Sequence, residues 1–289
     1  MKPHITVTLR NPLPAAAMPY WVDAITRPQV RSTTFVSQVD TLFAQFGLEF
    51  VATREYVQAG DDWSPEEIAS GMDRVFRLVL TTNTKIPLKL IESIRLLPNV
   101  EQIRTGVIDG MDLRPRRAMS FSVRTDRLSR DAIGLDEAHA YSLGEAEITV
   151  AVLDTGVGLN HPEYSHALLD GYDLVDILDG AQDFIGDYLG ADPNPEDEVG
   201  HGTHVAGIIA GQGKRMPRGV APGCRILPVR VLAAMSKDGR PVGAGLVDNI
   251  NNGVKWAVDH GADVINMSLG VRHTGGGLPH REVIDYALR

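Results

Sequence analysis

The stretch ITVAVLDTG, residues 148–156, decides the fold. From Ile148 to Asp154 the side chains are almost all apolar or β-branched, and the run ends on a carboxylate. Such a run suits a strand buried on both faces, as in a parallel sheet covered by helices. Working outward, residues 226–232 and 263–269 (DVINMSL) read as further buried strands. Residues 201–211 open as a helix, and residues 246–260 carry an amphipathic helical pattern. Strand and helix alternate, which predicts an α/β, doubly wound parallel sheet with right-handed crossovers.

The 289 residues exceed what one small domain needs, so two domains are expected. Hydrophobic residues make up 43% and charged residues 22%, an ordinary balance for a globular chain with a sizeable core. The net charge of -9 argues against nucleic acid or an anionic membrane as partner, because both select a basic face. The single cysteine, Cys224, precludes an internal disulfide and reads as a small buried filler before a strand. The opening MKPHITVTLRNPLP has no apolar leader, and no run approaches the roughly 18 apolar residues of a membrane span, so a cytoplasmic location is expected.

Before about residue 110 the grammar differs. Ile5, Val7 and Leu9 alternate with polar residues and predict a strand. A Pro-rich connection over residues 11–33 carries no clear element. Phe35, Val36, Val39, Leu42, Phe43 and Phe46 recur at helical spacing, with Gly47 where a C-terminal cap belongs. Residues 48–57 and 75–80 read as strands, and residues 61–71 as a loop with a helical turn. A helix opens at Pro87 with Leu90, Ile91, Ile94 and Leu97 on one face, and residues 100–107 give a last strand. The order β-α-β-β-α-β is the split βαβ, ferredoxin-like arrangement, which many unrelated proteins share. We therefore divide the chain into 1–112, a small α+β domain; 113–133, a linker or processing segment carrying Arg114, Arg116 and Arg117; and 134–289, the doubly wound domain.

Asp154 falls at the carboxyl end of its strand, where open parallel sheets gather functional groups. A carboxylate there can orient an imidazole; the plainer reading is an aspartate capping the next turn. His201 lies in GHGTH, residues 200–204, whose flanking glycines permit close backbone approach at a helix start. A histidine held by a carboxylate near neutral pKa is a general base for serine chemistry. His201 and His204, at i and i+3, also suggest a metal pair. They lack the intervening glutamate of H-E-x-x-H, and no third ligand is evident. His161, in NHPE at 160–163, reads as structural.

Asp154 precedes His201 by 47 positions, and the motifs around both resemble those of the subtilisin-like serine proteases, or subtilases. AVLDTGVGLNHPEY (151–164) is similar to their aspartate motif and GHGTHVAGIIAG (200–211) to their histidine motif. GVAPGCRILPVRVL (219–232) and ADVINMSLG (262–270) resemble the strands that follow. The resemblance implies that Asp154 orients His201 and that His201 takes the proton from a serine hydroxyl. It makes Ser268, Leu269 and Gly270 the lining of the first specificity pocket and one substrate-pairing edge. Gly243 to Gly245, or Gly239 nearby, would supply the opposite edge. It implies no required cofactor, but oxygen-ligated calcium in acidic loops, with Asp192, Asn194 and Asp197 as candidates beside the plainer reading of a solvated acidic loop. Peptide or protein substrates follow as partners. The front domain is similar to subtilase propeptides, with LLPNVEQI (96–103) resembling their last helix-to-strand turn, so that residues 109–119 would enter the active site as a product-like inhibitor in a zymogen.

Two family essentials are missing after Gly270: the Gly-Asn that supplies an oxyanion donor and the Gly-Thr-Ser-Met nucleophile helix. Ser268 lacks that context. The catalytic sheet is therefore expected to be incomplete. A helix over residues 283–288 and the adjacent sheet edge should lack part of their cover. The functional expectation is a serine endopeptidase whose serine lies on a missing segment or a complementary chain, with these 289 residues inactive alone. The alternative is an inactive pseudoprotease or peptide-binding module. A doubly wound ligand-binding domain is a third reading, weakened because no G-x-G-x-x-G follows a strand.

Overall fold

The computed structural model describes residues 2–14, 18–106, 108–110, 123–177, 183–270 and 280–289, with backbone alone at 108–110 and 123–127. In the amino-terminal part, strands β1 (His4–Leu9), β2 (Phe50–Arg54), β3 (Val75–Leu80) and β4 (Val100–Thr105) form an antiparallel sheet in the order β2-β3-β1-β4. Helix α1 (Trp21–Thr26) lies in the segment that carried no assignment, α2 (Ser37–Gln45) and α4 (Leu88–Arg95) where the periodicity placed helices. Between them the short α3 (Pro65–Ala69) starts with a capping box between Ser64 and Glu67. Alternation sorts each strand's residues onto two faces. Ile5, Val7, Ala52, Phe76 and Leu78 join Val39, Phe43, Leu90 and Ile94 in one buried core. The other face carries His4, Thr6, Thr53 and Arg77, all buried.

A buried polar face needs a partner layer, because unpaired polar groups taken out of water are costly. The carboxy-terminal part supplies it. Strands β6 (Thr149–Asp154), β7 (Tyr172–Asp173), β9 (Arg225–Arg230) and β12 (Val264–Asn266) pair in parallel in the order β12-β6-β9-β7. Helix α7 (His201–Ala210) covers one face through Val205, Ala206 and Ala210 against Val150, Val152 and Ile226. Helix α8 (Val247–Asp259) covers the other through Ile250 and Val254 against Ala151, Leu153 and Val229. Helices on both faces of a parallel sheet are the doubly wound arrangement. Cys224 is buried just ahead of β9, and His161 stacks on Tyr164 at 4.7 Å.

Three features depart from expectation. A second sheet, antiparallel, has the order β5-β11-β10-β8, made by β5 (Ile108–Gly110), β8 (Phe184–Ile185), β10 (Ala233–Lys237) and β11 (Arg240–Leu246). Helix α5 (Val123–Ala132) occupies the second half of the span assigned to a linker and is followed by α6 (Leu135–His139). Residues 113–122, with the three arginines, lie outside the described residues. Helix α9 (Arg281–Ala287) is better covered than expected: Val283 is fully buried within the core of α8 and the parallel sheet, although Leu288 is exposed. Strand β12 does stand at the sheet's edge, with Val264 half exposed.

The polar face of the front sheet docks on α8 and α9. Asp248 accepts from His4 Nε2 at 2.8 Å and from the Thr6 hydroxyl at 3.2 Å. Asn252 accepts from Tyr20 and Trp21 and donates to Glu55, which Arg77 grips with two hydrogen bonds of 2.8 and 2.7 Å. Glu282 accepts from Tyr56 and from both terminal nitrogens of Arg104. Lys255 Nζ lies 2.6 Å from Glu67 and 2.7 Å from Asp259. Burial opposes ionisation of Asp248, yet the His4 hydrogen bond and the charges of His4, Arg77 and Arg104 hold its carboxyl well below the usual carboxylate range.

A depressed carboxyl contributes stability that is present above the unfolded value of about 4 and is lost as pH falls through the folded one. Asp248→Ala is therefore expected to lower unfolding free energy at pH 7 by about 3–5 kcal/mol, because it strands buried cations. Urea melts from pH 7 down to pH 3 test this: the variant should also lose part of the wild-type fall in stability on acidification. A loss under about 1 kcal/mol at pH 7 would contradict the account.

Candidate active site

Asp154 is the last residue of β6 and is fully buried. Its backbone carbonyl accepts from Val231 and Leu232, which anchors the strand end to the segment after β9. The chain then turns sharply. Thr155 N donates to Asp154 Oδ1 at 2.7 Å, and Gly156 follows at φ +97°. A Cβ on Gly156 would lie 2.5 Å from the Pro195 carbonyl oxygen, so only glycine fits both the conformation and the space. Val157 N donates to that same carbonyl, strapping residues 195–197 beside the Asp154 loop.

Helix α7 begins on the left-handed Gly200 and presents His201 as its first residue. His201 Nδ1 lies 2.7 Å from Asp154 Oδ1. A carboxylate accepting at Nδ1 places the ring proton there and leaves Nε2 with its lone pair, the form a general base requires. Close approach of helix and loop depends on Gly202, whose added Cβ would stand 2.0 Å from the Gly156 carbonyl oxygen. The hydrogen bond to Asp154 raises the His201 pKa above its ordinary value. Burial pulls the other way, and the charges of Asp154 and Asp197 add to the rise. The Asp154 and His201 readings thus meet in one pair, while the turn-capping reading of Asp154 is also satisfied by the Thr155 amide.

The acidic loop behaves differently from the calcium expectation. Asp197 Oδ1 accepts from the Thr155 hydroxyl at 2.8 Å and from Val199 N and Gly200 N. Its Oδ2 accepts from Thr203 N and the Thr203 hydroxyl. Asp192 Oδ1 accepts from Asn194 N, an Asx turn. Among the described residues, no group of three or more His, Cys, Asp or Glu side chains could hold a metal ion. Of the calcium candidates Asp192, Asn194 and Asp197, Asp197 directs its lone pairs at the start of α7 and Asp192 turns its own loop. Among the described residues, His201 and His204 belong to no such group either.

Strand β11 runs beside the pair. A Cβ on Gly243 would lie 2.7 Å from Thr155 Cγ2, and one on Gly245 would lie 2.4 Å from the Val231 carbonyl oxygen, so Gly243 seats the strand against the Asp154 loop and Gly245 against the segment after β9. Gly239 instead turns the β10–β11 hairpin with Asp238, both at positive φ. Strand β5 pairs antiparallel along β11, with Gly245 opposite Asp109 and Ala244 opposite Gly110. This is the start of the segment expected to enter the site; residues 111–119 lie outside the described residues. Ser268, Leu269 and Gly270 follow β12, where Ser268 Oγ accepts from Asn266 Nδ2 at 2.9 Å and Leu269 packs on the core. Among the described residues, no hydroxyl is hydrogen-bonded to His201 Nε2. The sequence reading missed Thr155 and Thr203, although both sit inside the motifs it quoted.

Comparison with known proteins follows the same division. The Subtilase family matches residues 145–287. The minor extracellular protease Vpr of Bacillus subtilis is 39% identical over 159 residues, covering 54% of this chain and 18% of that protein. The major intracellular serine protease of the same organism is 40% identical over 124 residues, covering 43% of this chain and 34% of that protein. The chain thus spans about a fifth to a third of the length of these two relatives. Among solved structures, fervidolysin from Fervidobacterium pennivorans aligns with the whole chain and 38% of its own, at 23% identity and a TM-score of 0.56, a likeness of fold. No helix among the described residues is long and apolar enough to cross a membrane.

His201 gains its raised pKa from Asp154, so the pair stabilises the fold below the unfolded histidine value and loses that contribution as pH rises through the folded one. Asp154→Asn is expected to move the His201 midpoint down in an NMR titration, and an unmoved midpoint would contradict the pairing. Gly202→Ala is expected to destabilise by about 1–3 kcal/mol in urea melts through overpacking against Gly156; a neutral substitution would show that helix and loop need not approach so closely.

Proposed function

With residues 145–287 belonging to the subtilase family, we propose that the protein is a subtilisin-type serine endopeptidase in zymogen form. The observation that carries this is the 2.7 Å contact between buried Asp154 and His201, with Nε2 left to act as base. In the proposed reaction His201 takes the proton from a serine hydroxyl as it attacks the peptide carbonyl, then returns it to the leaving amine. Asp154 holds the ring and its tautomer and supports the imidazolium that forms. The serine and the oxyanion donor would come from polypeptide beyond these 289 residues or from a complementary chain. Without them these residues would be inactive, since losing the serine of such a triad costs about 10⁶-fold in kcat, the figure known for subtilisin itself.

The front domain, residues 1–112, acts in this proposal as a propeptide. Support comes from its split βαβ sheet, its docking on α8 and α9, and the pairing of β5 with β11. An extended segment added to an exposed strand is how proteases commonly hold peptide substrates. Gly243 and Gly245 on β11 and residues 268–270 after β12 are proposed as the two walls of the substrate cleft. No cofactor enters the proposed chemistry. The same β5–β11 pairing also suits a pseudoprotease that only holds peptides.

A serine-directed fluorophosphonate probe applied to the protein isolated from its native source separates the two. Labelling is expected on a downstream segment or a partner bearing Gly-Thr-Ser, and should fall at least 10²-fold in His201→Ala. Absence of labelling, together with peptide binding indifferent to His201→Ala, would replace the protease reading with the binding one.

A further inference from the structure

Asp197 was first a calcium candidate, and the five donors directed at it give it another part. They come from two elements. The Thr155 hydroxyl belongs to the loop that carries Asp154, while Val199 N and Gly200 N lead into α7, and Thr203 N and the Thr203 hydroxyl belong to the first turn of α7, which carries His201. Thr155 adds a second tie, since its oxygen also accepts from Gly202 N at 3.0 Å. Loop and helix are therefore fastened to one another through a single carboxylate and a single hydroxyl, in addition to the 2.7 Å His201–Asp154 contact.

We propose that Asp197 is a positioning residue for His201: through Thr155 and the amides of the first turn of α7, it fixes the distance and orientation at which the ring meets Asp154. The proposal rests on the protease reading above but concerns geometry rather than turnover. Five donors fill the acceptor sites of an ionised carboxylate and exceed what any neutral replacement can accept. An asparagine would offer one oxygen and set an NH₂ group against N–H or O–H donors, whichever way it is turned. The negative charge also suits the N-terminus of α7, where the helix dipole is positive. A hydrogen-bonded base displaced by about 1 Å loses on the order of 10²-fold in catalysis, so a clamp at this joint has a functional consequence.

The test uses the full chain with ¹⁵N-labelled histidine and needs no turnover. In the wild type, at a pH where the ring is neutral, His201 should show one tautomer, protonated at Nδ1, and a downfield proton bridging to Asp154. Asp197→Asn and Thr155→Val should each lose the bridging proton and mix the tautomers. Thr155→Ser, which keeps the hydroxyl, should restore the wild-type spectrum. Signals of His161, stacked on Tyr164, report that the fold is retained. If Asp197→Asn does not fold, Thr155→Val decides, because it leaves the carboxylate and its Thr203 contacts in place. A wild-type His201 spectrum in the folded variants would overturn the proposal and leave Asp197 a helix cap only. A wild-type chain with no bridging proton would overturn the Asp154–His201 pairing itself, and with it the protease reading.

Discussion

A carboxylate at the buried end of a strand must be met by donors, and that requirement organises the carboxy-terminal half of the molecule. Asp154 is met by the Thr155 amide and by His201 on Oδ1. To bring them there the chain turns within two residues and lays a helix start across the turn. The turn demands glycine at 156 and the crossing demands glycine at 202, because in each case a carbonyl oxygen occupies the place a Cβ would take. The glycines at 156 and 202 are thus consequences of one contact, that between Asp154 and His201. They identify the site because no other residue type permits that contact.

The second organising constraint is the join between the halves. The front sheet buries a polar face on α8 and α9, and its groups are paired across the boundary: His4 and Thr6 with Asp248, Glu55 with Asn252, Arg104 with Glu282, and Glu67 with Lys255. Buried pairs of this kind add little stability over an apolar contact of equal area, because desolvation offsets attraction. They do penalise every other orientation, in which a charge would be left alone. The apolar core runs through the same boundary, with Trp21, Tyr56 and Met72 beside Ile250 and Val254. Apolar contact holds the halves together, and the polar pairs choose the register. That register lays β5 along β11, beside the Asp154 loop.

Much of the fold was legible in local pattern. The strands around Ile5, Val75 and Val150, and the helices around Val39, Ile91 and Val254, declared themselves by periods of two and 3.6, because each packs one face or both on an apolar neighbour. Helix α1 did not, since its buried residues are only Trp21 and Ala24 and its partners are distant in sequence. The β10–β11 hairpin went unread although Asp238-Gly239 is a strong turn signal, because small residues on β11 hide the strand alternation. The part Asp197 plays at the start of α7 went unread for a different reason. An aspartate in an acidic loop looks the same whether its oxygens face a cation or backbone amides.

The sequence by itself determined the places of Asp154 and His201, their order and the doubly wound sheet that carries them. Those features follow from local rules: a carboxylate ending a buried run, and a histidine between glycines at a helix start. Only the tertiary structure decided which groups hold the pair in place and which face of the front sheet is buried. The tie from Asp197 to Thr155 spans 42 positions and that from His4 to Asp248 spans 244. Bonds of that reach depend on packing of the whole chain, and no periodicity or motif within a short window encodes them.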